Sequence, residues 1–334
     1  MPKRILIVTN SGDLHADVVA ARIASVHAAP FRLNLDDYPA GYEVDLNFAG
    51  GRWRGSLCHT SSGDALPLDG IGAVWMRKKA PFRYPSGPLT GQEQAHADAE
   101  TGHILLGLLR ALDCYWMSHP DALRGALWKP EQLQRAARMG FEVPASLIAN
   151  RRADVEAFRE AAADGIVFKA LSSAALAGDE VAPEERIAGT LPTTRITAEH
   201  DDALDAVAEQ PCFFQHYVPK RHELRVTVIG DALFAACIHS QDDPRTATDW
   251  RDMAAAIRYE AAALPAEVAR RCLDFVHSYG LTFGALDLIV TPQGDYVFLE
   301  NNPVGQFLFV EQLVPELDMT GALAECLTRE AHDR

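Results

Sequence analysis

Several features that mark whole classes of protein are missing from this 334-residue chain. No Cys-x-x-Cys pair occurs. Cys58, Cys114, Cys212, Cys237, Cys272 and Cys326 stand singly, with no spacing that suggests zinc or a disulfide framework, and read as small core residues of a cytoplasmic protein. None of the 12 histidines forms an H-x-x-x-H pair on a helix, which leaves zinc-dependent hydrolysis without support. Basic residues are in deficit: 31 Lys and Arg face 46 Asp and Glu, for a net charge of −15. That balance argues against a sequence-independent nucleic-acid binder or an anionic-membrane binder, so any bound anion must meet a local cluster. No apolar run approaches the roughly 20 residues of a membrane span, and MPKRILIVTN opens on a strand pattern with no signal peptide. Internal repeats and a G-x-G-x-x-G loop are also absent, and the Thr9 to Asp13 turn is given no cofactor.

What is present is 48% apolar residues, enough for the cores of two or three lobes. Residues 1–118 alternate strand and helix signals: a strand over Arg4 to Thr9, a helix over Leu14 to Val26, a strand over Gly72 to Met76 and an amphipathic helix over Glu93 to Leu112. Gly50 to Gly70, rich in Gly, Ser and Asp, reads as turns and edge structure. This lobe is α/β. A second block, 119–212, places Lys129 directly before Pro130 at a helix start, where free N–H groups favour an anion. Lys169 falls within the apolar strand IVFKALSS, where an ammonium needs an anionic partner or a path to solvent. Ser172 to Thr194 has little periodicity and reads as a loop able to close over a ligand.

The third block, 213–334, opens with an extended hinge at Phe213 to Val218 and a strand whose period-two pattern puts Glu223, Arg225 and Thr227 on one face. Arg225 there is either an anion-binding fork or a structural partner of Glu223. Near its end the chain reads ALDLIVTPQGDYVFLENNPVGQ. If Pro292 to Asp295 form a four-residue hairpin loop, Thr291 pairs with Tyr296, and the ladder sets Asp287 opposite Glu300 with Asn302 on the same face. Facing carboxylates repel, and a hard divalent cation removes that repulsion. Asp287, Glu300 and Asn302 are therefore the candidate metal ligands.

In this order, Lys129, Lys169, the Phe214–Val218 hinge, Glu223-Leu224-Arg225-Val226, Asp287 and Glu300-Asn301-Asn302-Pro303 resemble an ATP-grasp ligase. More narrowly, VWMRKKAPF, FFQHYVPKRHELRVTVIGD, Asp249-Trp250-Arg251 and FLENNPVGQ look like the graspetide synthetases, the microviridin-type peptide maturases. The resemblance implies an ATP-grasp fold behind an N-terminal pre-ATP-grasp lobe. ATP and Mg2+ would lie between two antiparallel sheets, and a carboxylate would be activated as an acyl phosphate. It implies Lys129, Lys169, Gln215, Tyr217, Val218 and Glu223 as nucleotide contacts, with Arg225, Lys169 and Arg251 attending the transferred phosphoryl group. The implied partner is a ribosomally made precursor peptide with a leader segment, and a homodimer is a further expectation. Three functions stay open: a peptide macrocyclase, a glutamate-adding carboxylate–amine ligase, or an ATP-binding module without turnover. Arg77-Lys78-Lys79 reads as the solvated basic end of a strand, or as a contact for an acidic peptide.

Overall fold

A computed structural model describes residues 3–87, 89–172, 191–252 and 254–332. The expected closing loop falls mostly within 173–190 and lies outside the described residues.

The first lobe is built on a parallel sheet ordered Phe31–Asn34, Arg4–Thr9, Ile71–Met76, Tyr115–Met117. Its two central strands carry the apolar runs Ile5–Val8 and Ala73–Met76 because both faces are covered, whereas the edge strand Phe31–Asn34 alternates buried Phe31 and Leu33 with Arg32 and Asn34. Leu6, Val8 and Val74 meet Leu105, Leu108 and Leu109 of the helix Gly91–Arg110, whose N-terminus is closed by a capping box between Thr90 and Glu93. Ile5, Ile7 and Trp75 face the other way, against Val19 and Ile23 of the helix Leu14–Ala24 and against Leu323 and Leu327 of the late helix Met319–His332. The strand Ile71–Met76 and that late helix approach so closely that a Cβ on Gly72 would sit 2.7 Å from the Ala331 carbonyl oxygen.

Gly50 to Gly70, expected as turns and edge structure, supplies two strands of a three-stranded antiparallel sheet, Tyr42–Ala49, Arg52–His59 and Asp64–Pro67. Leu57 and Leu66 pair across it and are fully buried, while much of the remainder faces water. Tyr42, Val44, Leu46 and Phe48 alternate with Glu43, Asp45 and Asn47 in the first strand, and the Gly-, Ser- and Asp-rich stretch that follows masks the continuation of that period-two signal.

Two antiparallel sheets follow. One is ordered Thr194–Ile196, Ile166–Phe168, Cys212–His216, Ser146–Ala149. The other has five strands, Tyr259–Ala261, Ala232–Ile238, His222–Ile229, Phe283–Val290 and Tyr296–Asn302. Leu224, Val226, Leu286 and Leu288 on one face of this sheet pack against Val268, Cys272, Phe275 and Val276 of the helix Ala266–His277. The opposite face carries Glu223, Arg225, Thr227 and Asp287, which are just as buried. The C-terminal hairpin is not built as the four-residue loop requires. Val290 pairs with Tyr296, which makes the loop one residue longer, and a bulge leaves Leu299 unpaired between Phe298 and Glu300. The two shifts cancel, and Asp287 still lies opposite Glu300.

Candidate active site

The two antiparallel sheets face each other across a narrow cleft. Val167, Lys169, Gln215 and His216 line it from the four-stranded side, and Glu223, Asp287, Ile289, Leu299 and Glu300 from the five-stranded side. The bulge matters here, because it turns both Leu299 and Glu300 toward the cleft. Around Glu300 the cleft continues into a second cavity of about 430 Å³, bounded by Lys129, Lys169, Arg251, Asn302 and Pro303 among others.

Every carboxylate oxygen at the base of the cleft faces a cation. Arg225 Nη1 donates to Asp287 Oδ1 at 2.8 Å. Arg251 Nη2 donates to Asp287 Oδ2 at 3.0 Å and to Glu300 Oε1 at 2.9 Å. Lys129 Nζ lies 2.9 Å from Glu300 Oε2. Burial works to raise the Glu300 carboxyl, but Lys129, Lys169 and Arg251 together outweigh it and hold the group down at about 2. Lys169 has the reverse problem: burial pushes its ammonium down, and the charge of Glu300 pulls it back up. Arg251 is held charged because Asp287, Glu300 and Asp249 overcome its desolvation.

A single guanidinium nitrogen thus bridges the two carboxylates. The pair is built to share one positive centre, and hard carboxylate oxygens with a nearby amide fit a divalent cation such as Mg2+. Asn302 stands one step further along the strand, opposite Ala285 and bordering the larger cavity. Its side-chain oxygen accepts from the Val304 N–H at 3.1 Å and starts the turn that follows.

Comparison with known proteins now bears on this geometry. The pre-ATP-grasp domain model of MvdD matches residues 4–124. Among solved structures, the chain is similar to the macrocyclase MdnC of Microcystis aeruginosa MRC, bound with its precursor peptide MdnA, at 30% identity over 98% of this chain and 99% of that one, with a TM-score of 0.81. The chain belongs to the graspetide synthetase family of ATP-grasp ligases. It is also similar to a Chryseobacterium gregarium RiPP-associated ATP-grasp ligase in complex with ADP and a leader and core peptide, at 27% identity over 98% and 97% of the two chains and a TM-score of 0.86. A third likeness is to the macrocyclase MdnB of the same Microcystis, at 26% identity over 98% and 99%, with a TM-score of 0.76. No curated protein matches the chain.

In this graspetide synthetase the hinge runs along the cleft. Gln215, Tyr217 and Val218 line it, and Gln215 is fixed by donating to Ser146 Oγ at 3.0 Å. The Tyr217 N–H donates to Gly165 O at 2.8 Å, and its ring is covered by the Arg195 guanidinium. Glu223 is buried in the cleft wall, and its desolvated carboxyl is pushed up despite an ion pair with Lys220 at 2.7 Å. The pairing of Glu223 with Arg225 held open by the sequence is not made: each has a different partner, Lys220 and Asp287.

One basic segment departs from its expected place. Arg77 is not a solvated strand end. It is buried, donates to Val304 O at 2.6 Å and lies 3.5 Å from the wholly buried Asp13. His15 Nε2 accepts from the Phe307 and Leu308 N–H groups at 3.3 Å, so the first lobe grips the loop that follows Asn302. Within that loop, a Cβ on Gly305 would lie 2.8 Å from Arg225 Nη2, and glycine there lets Gln306 O accept from the same nitrogen at 3.0 Å. The Asp249-Trp250-Arg251 triplet is anchored. Trp250 is buried and stacked on Phe309, and Asp249 accepts from the Thr193 N–H at 3.0 Å and from Arg251 Nη1 at 3.1 Å.

Gln132 and Lys220 escaped the sequence reading. Gln132 accepts from the Asn301 N–H and donates to the Asn301 carbonyl, both at 2.8 Å, and so clamps the bulged strand from the helix Lys129–Arg138. A glutamine in KPEQLQRAAR carries no signal of that role. Lys220 was legible in principle, since it lies three residues before a strand-borne glutamate and directly after the helix-breaking Pro219. Asn301 is buried, and neither of its side-chain amide atoms has a hydrogen-bond partner among the described residues.

Proposed function

We propose that this chain is an ATP-dependent peptide macrocyclase. It activates an Asp or Glu side chain of a ribosomally made, leader-bearing precursor as an acyl phosphate and joins it to a Ser or Thr hydroxyl or a Lys amine. One observation carries the reading: Lys129, Lys169, Arg225 and Arg251 surround the paired carboxylates Asp287 and Glu300 where two cavities meet. The narrow cleft takes the nucleotide, with Gln215, Tyr217 and Val218 along the base and Glu223 at the ribose. The wider cavity beyond Glu300 takes the peptide side chain.

Phosphoryl transfer asks little covalent chemistry of a protein and much positioning and charge compensation. The substrate carboxylate attacks the γ-phosphorus and ADP leaves. The hydroxyl or amine then attacks the acyl carbon, and phosphate leaves with the proton passing to solvent. Asp287, Glu300 and Asn302 would hold a divalent cation, which neutralises phosphate charge. Lys129 and Lys169 face the phosphates with a positive charge from the Glu300 side. Arg225, fixed at both nitrogens by Asp287 and Gln306 O, and Arg251, fixed by Asp249, offer planar donors that need no reorganisation as charge shifts. Cytoplasmic residence is supported by Cys58, Cys212, Cys237, Cys272 and Cys326 being thiols.

The test is mass spectrometry of a precursor encoded beside the gene, a short peptide rich in Thr or Ser and Asp or Glu, after incubation with ATP and Mg2+. The expected product has lost one water for each ADP formed. A gain of one amino-acid unit would instead identify a carboxylate–amine ligase, and ADP release with no change in peptide mass would overturn both.

A further inference from the structure

The outer edge of the five-stranded sheet holds a second convergence of donor atoms. Cys237 on Ala232–Ile238 pairs directly with Glu260 on the edge strand Tyr259–Ala261. His239 follows two residues after Cys237 and projects to the same side. Cys237 is also the cross-strand partner of Leu224, on the apolar face, whereas Glu223 pairs with Ile238 on the face of the cleft. The cluster is therefore turned away from Asp287 and Glu300.

The distances are informative. Cys237 Sγ lies 3.5 Å from His239 Nε2, Nε2 lies 2.8 Å from Glu260 Oε1, and all three atoms fall within 4.8 Å of one another. A tetrahedral zinc ion with bonds of about 2.3 Å to sulfur and about 2.0 Å to nitrogen separates those two ligands by roughly 3.5 Å. The thiol and imidazole already stand at that spacing. Glu260 must withdraw by about 0.5 Å, which its exposed side chain permits. His222, on the adjoining strand, has its ring centroid 6.1 Å from that of His239 and is within reach as a further donor. Thiolate, imidazole and carboxylate together suit zinc better than magnesium or calcium. Arg258 Nη2 lies 3.3 Å from His239 Nδ1, but its Nε is 3.2 Å from Asp242 Oδ2, and this exposed arginine has that carboxylate to turn to when Nδ1 keeps its proton.

We propose that Cys237, His239 and Glu260 bind a zinc ion, with His222 filling the fourth position and the thiol proton released to solvent. The ligands come from three neighbouring strands and the residue after one of them, which is why no local cysteine spacing announces them. The site also closes the chain on itself: His239 and Glu260 bracket the segment that carries Asp249, Trp250 and Arg251. Zinc there would staple the base of the loop whose arginine bridges the two active-site carboxylates.

Titration of the metal-stripped full chain with Co2+ tests this. One equivalent is expected to raise a thiolate-to-cobalt charge-transfer absorption, and Zn2+ should abolish it. The band should vanish in Cys237→Ser and persist in Asp287→Asn, because an oxygen-only site yields no such band. Its absence from the unaltered protein, or its survival in Cys237→Ser, overturns the proposal. Since Cys237 is buried, His239→Gln and Glu260→Gln give a second arm. With melting temperatures in chelator equal to the parent, they should show a weaker Co2+ titration and a smaller Zn2+-induced rise in Tm, and parental values in both variants would also refute the site.

Discussion

The two faces of the strand His222–Ile229 are equally hidden from water and opposite in chemistry. Leu224, Val226 and Val228 are 3%, 0% and 0% exposed, and Glu223, Arg225 and Thr227 on the other side are 4%, 5% and 1% exposed. Burial does not separate core from site here. What separates them is whether a side chain gains from being out of water: the apolar face gains on transfer, while the polar face incurs a desolvation cost that its ion pairs only partly recover. A fully buried charged row in a sheet is thus a sign of a constraint other than stability.

The largest effect expected from breaking that contrast is at Asp287. Asp287→Ala should cut ADP formation by about three orders of magnitude, on the several kcal/mol that charge compensation around a transferring phosphoryl group supplies. It should also destabilise by about 3 kcal/mol, because Arg225 is left buried and unpaired. The double variant Arg225→Met with Asp287→Leu should regain most of that stability in denaturant titrations and none of the turnover. If activity returned with stability, the polar row would be structural. On the apolar face, Leu288→Ala should cost a similar 2–5 kcal/mol, roughly what a buried leucine is worth, while the folded fraction keeps its turnover.

Smaller changes sharpen the picture. Lys169→Met removes a cation facing the cleft, and a tenfold loss of ATP affinity would take about 1.4 kcal/mol from the ATP-dependent stabilisation, read as a reduced rise in Tm. An undiminished rise would return Lys169 to a purely structural role. The smallest effect concerns acid. The folded state holds Glu300 at about 2, below its ordinary value of 4.5, so its ion pairs contribute fully above about 4.5 and that contribution is lost as pH falls toward about 2. Stability measured across that window should decline less steeply in Glu300→Gln than in the parent chain.

Much of this was legible in the chain itself, for identifiable reasons. Runs such as ILIV and AVWM are apolar at every position because the parallel sheet is covered on both sides, and they read plainly as strands. The juxtaposition of Asp287 and Glu300 was also legible, though the ladder that led to it contained two errors of register that cancel. A bulge is invisible to a pattern of period two, since it is a local accommodation between strands. Arg77 was misread because its acid, Asp13, comes from the turn after the first strand, and a basic triplet is silent about a partner so distant in sequence. The small sheet of residues 42–67 was missed although Tyr42, Val44, Leu46 and Phe48 mark the phase of its first strand, because the glycines, serines and aspartates of Gly50 to Gly70 read as turns.

The late helix Met319–His332 joins Ile5, Ile7 and Trp75 in one core. A ribosome therefore produces the first sheet long before the element that seals its second face. During synthesis that face has only the helix Leu14–Ala24 to cover it while both antiparallel sheets are still being made. Domain dissection at the end of the first lobe would separate a surface from its lid.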